Sequence, residues 1–185
     1  MNRKGKLFII SAPSGTGKST VIKEIMARRR DLKFSVSATT RPARGDETPG
    51  VSYHFIARKK FDRMIKAGKF LEYAEYVGNY YGTPKKPIYD SLRKGEDVIL
   101  DIDVQGERQI KKVMPEAITI FLVPPSMEEL ERRLRERGTD SEERLIARLE
   151  RAKAEFSELG KYDNVVVNDN VGDAVQQVLA IMDEE

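Results

Sequence analysis

The run Ala12-Pro13-Ser14-Gly15-Thr16-Gly17-Lys18-Ser19, followed by Thr20, holds the residue types and spacing most suited to chemistry in this chain. It matches the phosphate-loop pattern G-x-x-x-x-G-K-[ST] at seven of its eight positions. Gly15 and Gly17 allow backbone N–H groups to turn inward around an anion. A helix beginning near Lys18 would aim its positive dipole end at the same point. Lys18 can reach the β- and γ-phosphates of a nucleotide, and the Ser19 hydroxyl can ligate Mg²⁺. Ala12 departs from the pattern, which has glycine there. Alanine tolerates ordinary negative φ but not positive φ, so the loop's first turn must be ordinary or strained at that residue. Asp101 closes the apolar run Val98-Ile99-Leu100. An aspartate at such a strand end is the weak signature of a Mg²⁺ site, direct or through water, and equally of a simple turn. The phosphate loop in the same chain favours the metal role.

Other residues could grip or read a ligand. Arg41 and Arg44 lie three apart in Thr39-Thr40-Arg41-Pro42-Ala43-Arg44-Gly45-Asp46, which Pro42 and Gly45 keep from being a helix. Two guanidinium forks there suit a phosphate dianion, or form a solvated basic loop. Residues 52–82 contain five of the seven tyrosines. Of these, Tyr73, Tyr76 and Tyr80 read as core aromatics of a small substructure. Residues 128–155 are dense in both charge signs, which mostly means solvated helix with i,i+4 pairs. The single histidine, His54, excludes any site built on two imidazoles and reads as structural. Zero cysteines exclude a disulfide framework, a thiol nucleophile and a thiolate metal site.

Positioning these residues falls to an alternating set of elements. Leu7–Ile10 reads as a strand buried on both faces, and Lys18 to about Arg30 as a helix with Val21, Ile22, Ile25 and Met26 on one face. Phe34–Ser37 is extended. Residues 52–82 form a mostly antiparallel insertion interrupted by a helix over Arg58–Ala67. Asp97–Asp101 is a buried strand, Val104–Lys112 a helix and Ile118–Val123 a strand ended by Pro124-Pro125. Ser126 caps the next helix with Glu129 as its capping-box partner. That helix breaks at Gly138 and resumes from Ser141 to about Leu159. Val165–Val167 and Gly172–Met182 are the last strand and helix. The order β-α-β-(insertion)-β-α-β-α-α-β-α predicts an open parallel sheet covered by helices. The 185 residues suit one domain, and a net charge of +3 is too mild to argue for nucleic acid. A pI near 9.0 fits an anionic small molecule.

Taken together, Ala12–Thr20, Ser35-Val36-Ser37-Ala38-Thr39-Thr40-Arg41-Pro42-Ala43-Arg44, Gly78-Asn79-Tyr80-Tyr81-Gly82-Thr83, Ile99-Leu100-Asp101-Ile102-Asp103-Val104-Gln105-Gly106 and Arg137-Gly138-Thr139-Asp140 resemble guanylate kinase over about residues 7–182. The resemblance implies Mg²⁺-dependent phosphoryl transfer from ATP to GMP, giving ADP and GDP. It implies a three-layer α/β P-loop kinase fold with a parallel central sheet. The core would be residues 1–36, 89–136 and 149–185, with a mixed α/β GMP-binding insertion at about 37–88 and a helical lid at about 137–148. It places ATP on residues 12–20, Arg137 and Asn168. It places the GMP phosphate on Arg41, Arg44, Tyr53 and Tyr81, and the base on Ser37, Glu72, Thr83 and Asp103. Guanine's N1–H and exocyclic amine form a donor pair that one carboxylate accepts and adenine does not offer, which is the work implied for Glu72. Lys18, Arg41, Arg133, Arg137 and Arg148 would act on the transferring group, with Ser19 and Asp101 toward Mg²⁺.

Two rivals remain in the sequence. Scaffold modules of this likeness bind peptides without turnover, yet this chain keeps Lys18, Ser19, Asp101 and the lid arginines. Another P-loop kinase with a different phosphorylated acceptor would have no use for Glu72, Thr83 and Asp103 as guanine readers. Nucleic-acid and membrane roles find little support, a cytoplasmic setting is the default, and oligomeric state is open.

Overall fold

A computed structural model describes residues 3–136, 138 and 141–185. The expected Arg137 and its neighbours Thr139 and Asp140 lie outside the described residues. Strand β1 (Leu7–Ser11) is buried at every position and leads through the glycine-rich loop into helix α1 (Lys18–Arg28). Short strands β2 (Lys33–Phe34), β3 (Ala38–Thr39) and β4 (His54–Phe55) follow. Then come α2 (Arg58–Lys66), β5 (Phe70–Tyr76), β6 (Asn79–Pro84) and α3 (Lys85–Arg93). The rest is β7 (Val98–Asp101), α4 (Val104–Val113), β8 (Ile118–Val123), α5 (Met127–Glu136), α6 (Glu142–Phe156), β9 (Asn164–Val167) and α7 (Val171–Glu184). The architecture is α/β with parallel strands, as the alternating apolar runs predict. Among the described residues no helix is long and apolar enough to cross a membrane.

The chain divides into two compact units. The first comprises the amino-terminal residues through Leu7, Asp31–Leu100 and Gln105–Ala117. In it β2 runs parallel to β7, with Phe34 opposite Ile99. A mixed sheet has the order β4-β3-β6-β5, in which β3 is parallel to β4 and antiparallel to β6. Phe61 of α2, fully buried, stacks on Phe70 of β5 at 4.5 Å between ring centres and packs with Ala38 beneath this sheet. Burying such a ring is worth about 2–3 kcal/mol. Tyr80 joins this cluster, with Arg58 over its ring at 3.8 Å. The other two expected core tyrosines do not: Tyr73 and Tyr76 are 41% and 51% exposed. They point to opposite faces of β5, the edge strand of this sheet, which has no buried residue on either face beyond Glu72.

The second unit comprises Phe8–Arg30, Asp101–Val104 and Ile118–Glu185. Its parallel strands run in the order β1-β8-β9, with Ile10 opposite Ile120 and Leu122 opposite Val166. Helices α1 and α7 pack on each other through buried Val21, Ile25, Val175 and Val178. Leu130 and Leu134 of α5 pack on Leu145 and Ala152 of α6. Ser126 caps α5 by accepting the Glu129 N–H at 3.1 Å. In place of the expected return arm of the capping box, the Glu129 carboxylate accepts from Arg132 and Arg133. Helix α3 is an element the sequence reading lacks. Pro84 and Pro87 argue against a helix there, yet they fall at its cap and first turn, where a missing N–H costs nothing.

The β5–β6 hairpin closes through Val77 and Gly78, with Tyr76 paired to Asn79. Both loop residues have positive φ, 49° and 71°, as two-residue hairpins of the primed type require. Val77 is β-branched, 78% exposed and the sole non-glycine with positive φ among the described residues. Val77→Asn should therefore relieve about 1 kcal/mol of strain and raise the melting temperature by roughly 2–4 °C in a thermal melt.

Candidate functional site

In the second unit the glycine-rich loop takes the conformation its residues predict. Gly15 and Gly17 have φ of 97° and 93°. A Cβ at Gly15 would sit 2.7 Å from Leu134 Cδ2, and one at Gly17 would sit 2.7 Å from Asn168 Nδ2. Glycine is thus needed at both positions for space as well as for torsion. Ala12 does not have positive φ, so the departure from the pattern is absorbed by an ordinary backbone. The Thr16 N–H donates to Pro13 O at 3.2 Å, closing the turn. Gly17 is the N-cap of α1 without a side-chain partner, and the helix opens at Lys18 and Ser19. Ser14, Ser19 and Thr20 are exposed, while Pro13 and Thr16 are buried.

Lys18 Nζ lies 2.7 Å from Asp101 Oδ1 and donates to Ile102 O at 3.1 Å. The two residues expected to serve the phosphates and the metal are therefore adjacent. Asn168, only 2% exposed, donates from Nδ2 to Thr16 O at 2.6 Å. The resemblance gives it to ATP, and here it is a strut of the phosphate loop. Arg133 is held by Glu129 at 2.6 Å and donates to Asn168 O at 2.9 Å. These two bonds aim one edge of its guanidinium at the segment that also braces the loop. Arg148, half-buried, lies on α6. Asp103 pairs with Arg151 at 3.3 Å, and Arg151 Nε donates to Glu155 at 2.9 Å. Burial pushes the Glu155 carboxyl up, against the opposing pull of Arg151. Arg151 and Glu155 are residues the sequence reading did not single out, since i,i+4 charge pairs are the ordinary dress of a helix.

In the first unit a second group of polar residues gathers. Arg41 is 7% exposed, with its guanidinium carbon 5.1 Å above the Tyr53 ring and 5.7 Å from that of Phe55. Tyr53 and Tyr81 meet edge-on at 6.0 Å. Arg41 forms a two-pronged pair with Glu47, both bonds at 2.6 Å. The Arg44 N–H also donates to Glu47 at 2.8 Å. These bonds hold the Glu47 carboxyl down at about 2, with the Arg41 side chain the main cause, and Glu47 in turn raises Arg41. Glu47 is missed by sequence reasoning, although a carboxylate inside an arginine loop is a usable signal.

Glu72 and Thr83 face each other across β5 and β6. Glu72 is 6% exposed, Thr83 is fully buried, and the Thr83 hydroxyl donates to Glu72 Oε1 at 2.5 Å. A carboxylate on a strand is by default a surface residue, so this burial is the less expected finding. Gly106 lies in the first turn of α4, and a Cβ there would stand 2.9 Å from Glu72 Oε2. The carboxylate thus rests against a helix start, where the dipole favours negative charge. Gln109, one turn further on, brackets the Tyr73 backbone with bonds of 3.3 and 3.0 Å and fixes this stretch of β5. Ser37 is half-buried and its carbonyl accepts the His54 N–H at 2.8 Å. His54 itself is exposed.

A family profile described as guanylate kinase matches residues 4–185. A guanylate kinase of Carboxydothermus hydrogenoformans is 47% identical over 98% of this chain and 89% of its own length. One from Clostridium tetani is 50% identical over 98% and 87% respectively. The crystal structure of guanylate kinase from Anaplasma phagocytophilum superposes with a TM-score of 0.80 at 35% identity, covering 97% of this chain and 85% of that one. A gluconokinase from Sinorhizobium meliloti, 17% identical with a TM-score of 0.52, shares the fold alone.

Two outcomes follow from this geometry. Gly106→Ala should keep α4, since alanine favours a helix by about 1 kcal/mol. It should nevertheless displace the Glu72 carboxylate, seen as loss of the Thr83 bond in a crystal structure. Arg41→Met should let the Glu47 carboxyl rise from about 2 toward its ordinary value near 4.3, read by ¹³C NMR titration. The sign follows from the lowered pKa: the pair's stabilisation is complete above the ordinary value and is lost as pH falls from there to about 2.

Proposed function

The chain belongs to the guanylate kinase family, and we propose that its phosphate loop serves ATP while the Arg41 and Glu72 groups serve GMP. Its activity is transfer of the γ-phosphoryl group of ATP to GMP, giving ADP and GDP. The observation that carries the residue assignments is the buried Glu72 with its hydroxyl partner Thr83. A carboxylate withdrawn from water costs several kcal/mol unless its oxygens are met by donors. Guanine supplies two such donors side by side, its N1–H and its exocyclic amine. A site built to hydrogen-bond a base edge rejects an analogue that lacks those donors. Ser37, Thr83 and Asp103 complete the base contacts.

Arg41 and Arg44, with the Tyr53 and Tyr81 hydroxyls, take the GMP phosphate. Lys18 leaves Asp101 for the β- and γ-phosphates, where the backbone N–H groups around Gly15 and Gly17 add to its charge. Asn168 keeps the loop in shape from beneath. The acceptor oxygen belongs to a phosphate already ionised near neutral pH, because its second pKa is about 6. No strong general base is needed, so exposed His54 has no part to play. Arg133, Arg137 and Arg148 take up charge on the transferring group, and exclusion of water protects ATP from hydrolysis.

Mg²⁺ fits the donor set. Ser19 and Asp101 offer hard oxygen ligands, which suit it. Among the described residues no group of three or more His, Cys, Asp or Glu side chains gathers to hold a metal. Mg²⁺ at nucleotide sites is held by one or two side chains plus substrate phosphates. When bound, the ion neutralises charge on the phosphate oxygens. A peptide-binding module and a kinase for another acceptor gain nothing from a buried carboxylate of this kind.

The test is ADP release from ATP and Mg²⁺ with GMP, AMP, UMP and ribose phosphates as acceptors. Turnover with GMP alone is expected, and equal turnover with AMP would overturn the Glu72 reading. Lys18→Ala should abolish transfer while GMP still binds in calorimetry. Glu72→Gln should raise KM for GMP by about 2–3 kcal/mol, roughly 30- to 150-fold, and leave KM for ATP within about threefold.

A further inference from the structure

The Arg41 loop contains more than a phosphate ligand needs. A guanidinium has five N–H donors arranged on two usable edges. Three donor hydrogens of Arg41 are spoken for. Nη1 donates to Glu47 Oε2 at 2.6 Å and to Pro42 O at 2.9 Å, and Nη2 donates to Glu47 Oε1 at 2.6 Å. Glu47 therefore occupies the Nη1–Nη2 edge end-on. The Nε–H and the second Nη2 hydrogen lie together on the other edge, and the Tyr81 side chain is a further hydrogen-bonding neighbour of Arg41. Glu47 does a second thing at the same time. Its Oε2 accepts the Arg44 N–H at 2.8 Å, while its own N–H donates to Arg44 O at 3.0 Å. One carboxylate thus orients the guanidinium of Arg41 and fixes the backbone that carries Arg44.

We propose that Glu47 is the positioning residue of the acceptor-phosphate clamp, holding one edge of Arg41 so that the Nε–Nη2 edge is presented to a phosphate monoester. This rests on the reading that Arg41 grips the GMP phosphate. The rival is that Glu47 stands in for the phosphate and must be expelled by it. Three features favour positioning. Arg41 is almost wholly buried against Tyr53 and Phe55, so its guanidinium does not swing freely. Glu47 is anchored to the loop backbone as well as to the side chain. The two edges of a guanidinium admit two anions at once, and the net charge of Arg41, Glu47 and Arg44 remains positive for the second.

The experiment compares Glu47→Gln, Arg41→Met and the double variant. Positioning predicts that Glu47→Gln raises KM for GMP about 10- to 30-fold, since an amide offers one acceptor oxygen where the carboxylate offers two. Both kcat and KM for ATP should change less than about threefold, as should the Kd for guanosine, which has no phosphate. In the Arg41→Met background, adding Glu47→Gln should change KM for GMP by less than about twofold, because the two act through one contact. A fall in KM for GMP in Glu47→Gln would show competition and overturn the proposal. So would an unchanged KM, or an equal loss in both substrates with a lowered melting temperature. If Arg41→Met leaves KM for GMP unchanged, the clamp reading itself fails; if it raises KM and Glu47→Gln does not, only the positioning role fails. The wild-type protein supplies an independent measurement. On adding GMP, the Arg41 Nε–H resonance should shift while the Glu47 carboxyl ¹³C resonance stays, and movement of Glu47 toward a free carboxylate would count for the rival.

Discussion

Under the proposed assignments, a cation that meets a phosphate must be held in place before the phosphate arrives, and this constraint bears on both units of the chain. Lys18 rests on Asp101 and the Ile102 carbonyl. Arg41 rests on Glu47, and Arg133 on Glu129 and the Asn168 carbonyl. Each partner is an internal acceptor that prevents a partly buried charge from being left alone. An unpaired charge taken from water costs several kcal/mol, far more than a rim ion pair returns. The carboxylates around these sites therefore need not bind ligand to be indispensable. They set where each cation waits and which of its donors point outward.

Space is the second constraint, and glycine satisfies it where a close approach is unavoidable. At Gly17 an added Cβ would strike the amide that braces the loop, and at Gly106 it would strike the carboxylate of Glu72. The two cases differ in kind. Gly17 also needs its positive φ, so torsion and space coincide there. Gly106 sits in an ordinary helical turn and is glycine because of its neighbour alone. Its role cannot be inferred from local conformation; it follows from what β5 lays against α4.

Elements governed by local rules were legible in the sequence. The phosphate loop declares its torsions through Gly15 and Gly17, and the runs Leu7–Ile10 and Ile118–Val123 declare strands buried on both faces. Ser126 and Ser141 mark helix starts that the backbone N–H groups of Glu129 and Arg144 complete. What was not legible depends on partners distant in sequence. Tyr73 and Tyr76 look like core residues until β5 becomes an edge strand whose outer half is uncovered. Helix α3 hides behind two prolines that happen to fall where they are harmless. The burial of Glu72 requires Thr83 from one strand and Gly106 from a later helix, and no periodicity in residues 70–76 announces either. Glu47 was overlooked because a carboxylate six residues from an arginine has no fixed spacing when the chain between them is a loop.

The choice between lysine and arginine at the two proposed phosphate sites follows from what each phosphate does in the reaction. The donor phosphates change charge and bonding as the group departs, so the cation beside them must follow. Lys18 has an ammonium on a four-carbon stem, held by one carboxylate and one carbonyl that it can leave. The acceptor phosphate has to stay still while one of its oxygens attacks. Arg41 offers a planar group with two edges, one of them already fastened to Glu47, so the other is fixed in direction before substrate binds. A lysine at position 41 has no second edge to present. It would be neutralised by Glu47 rather than oriented by it, and the same carboxylate that serves arginine would then compete with the phosphate.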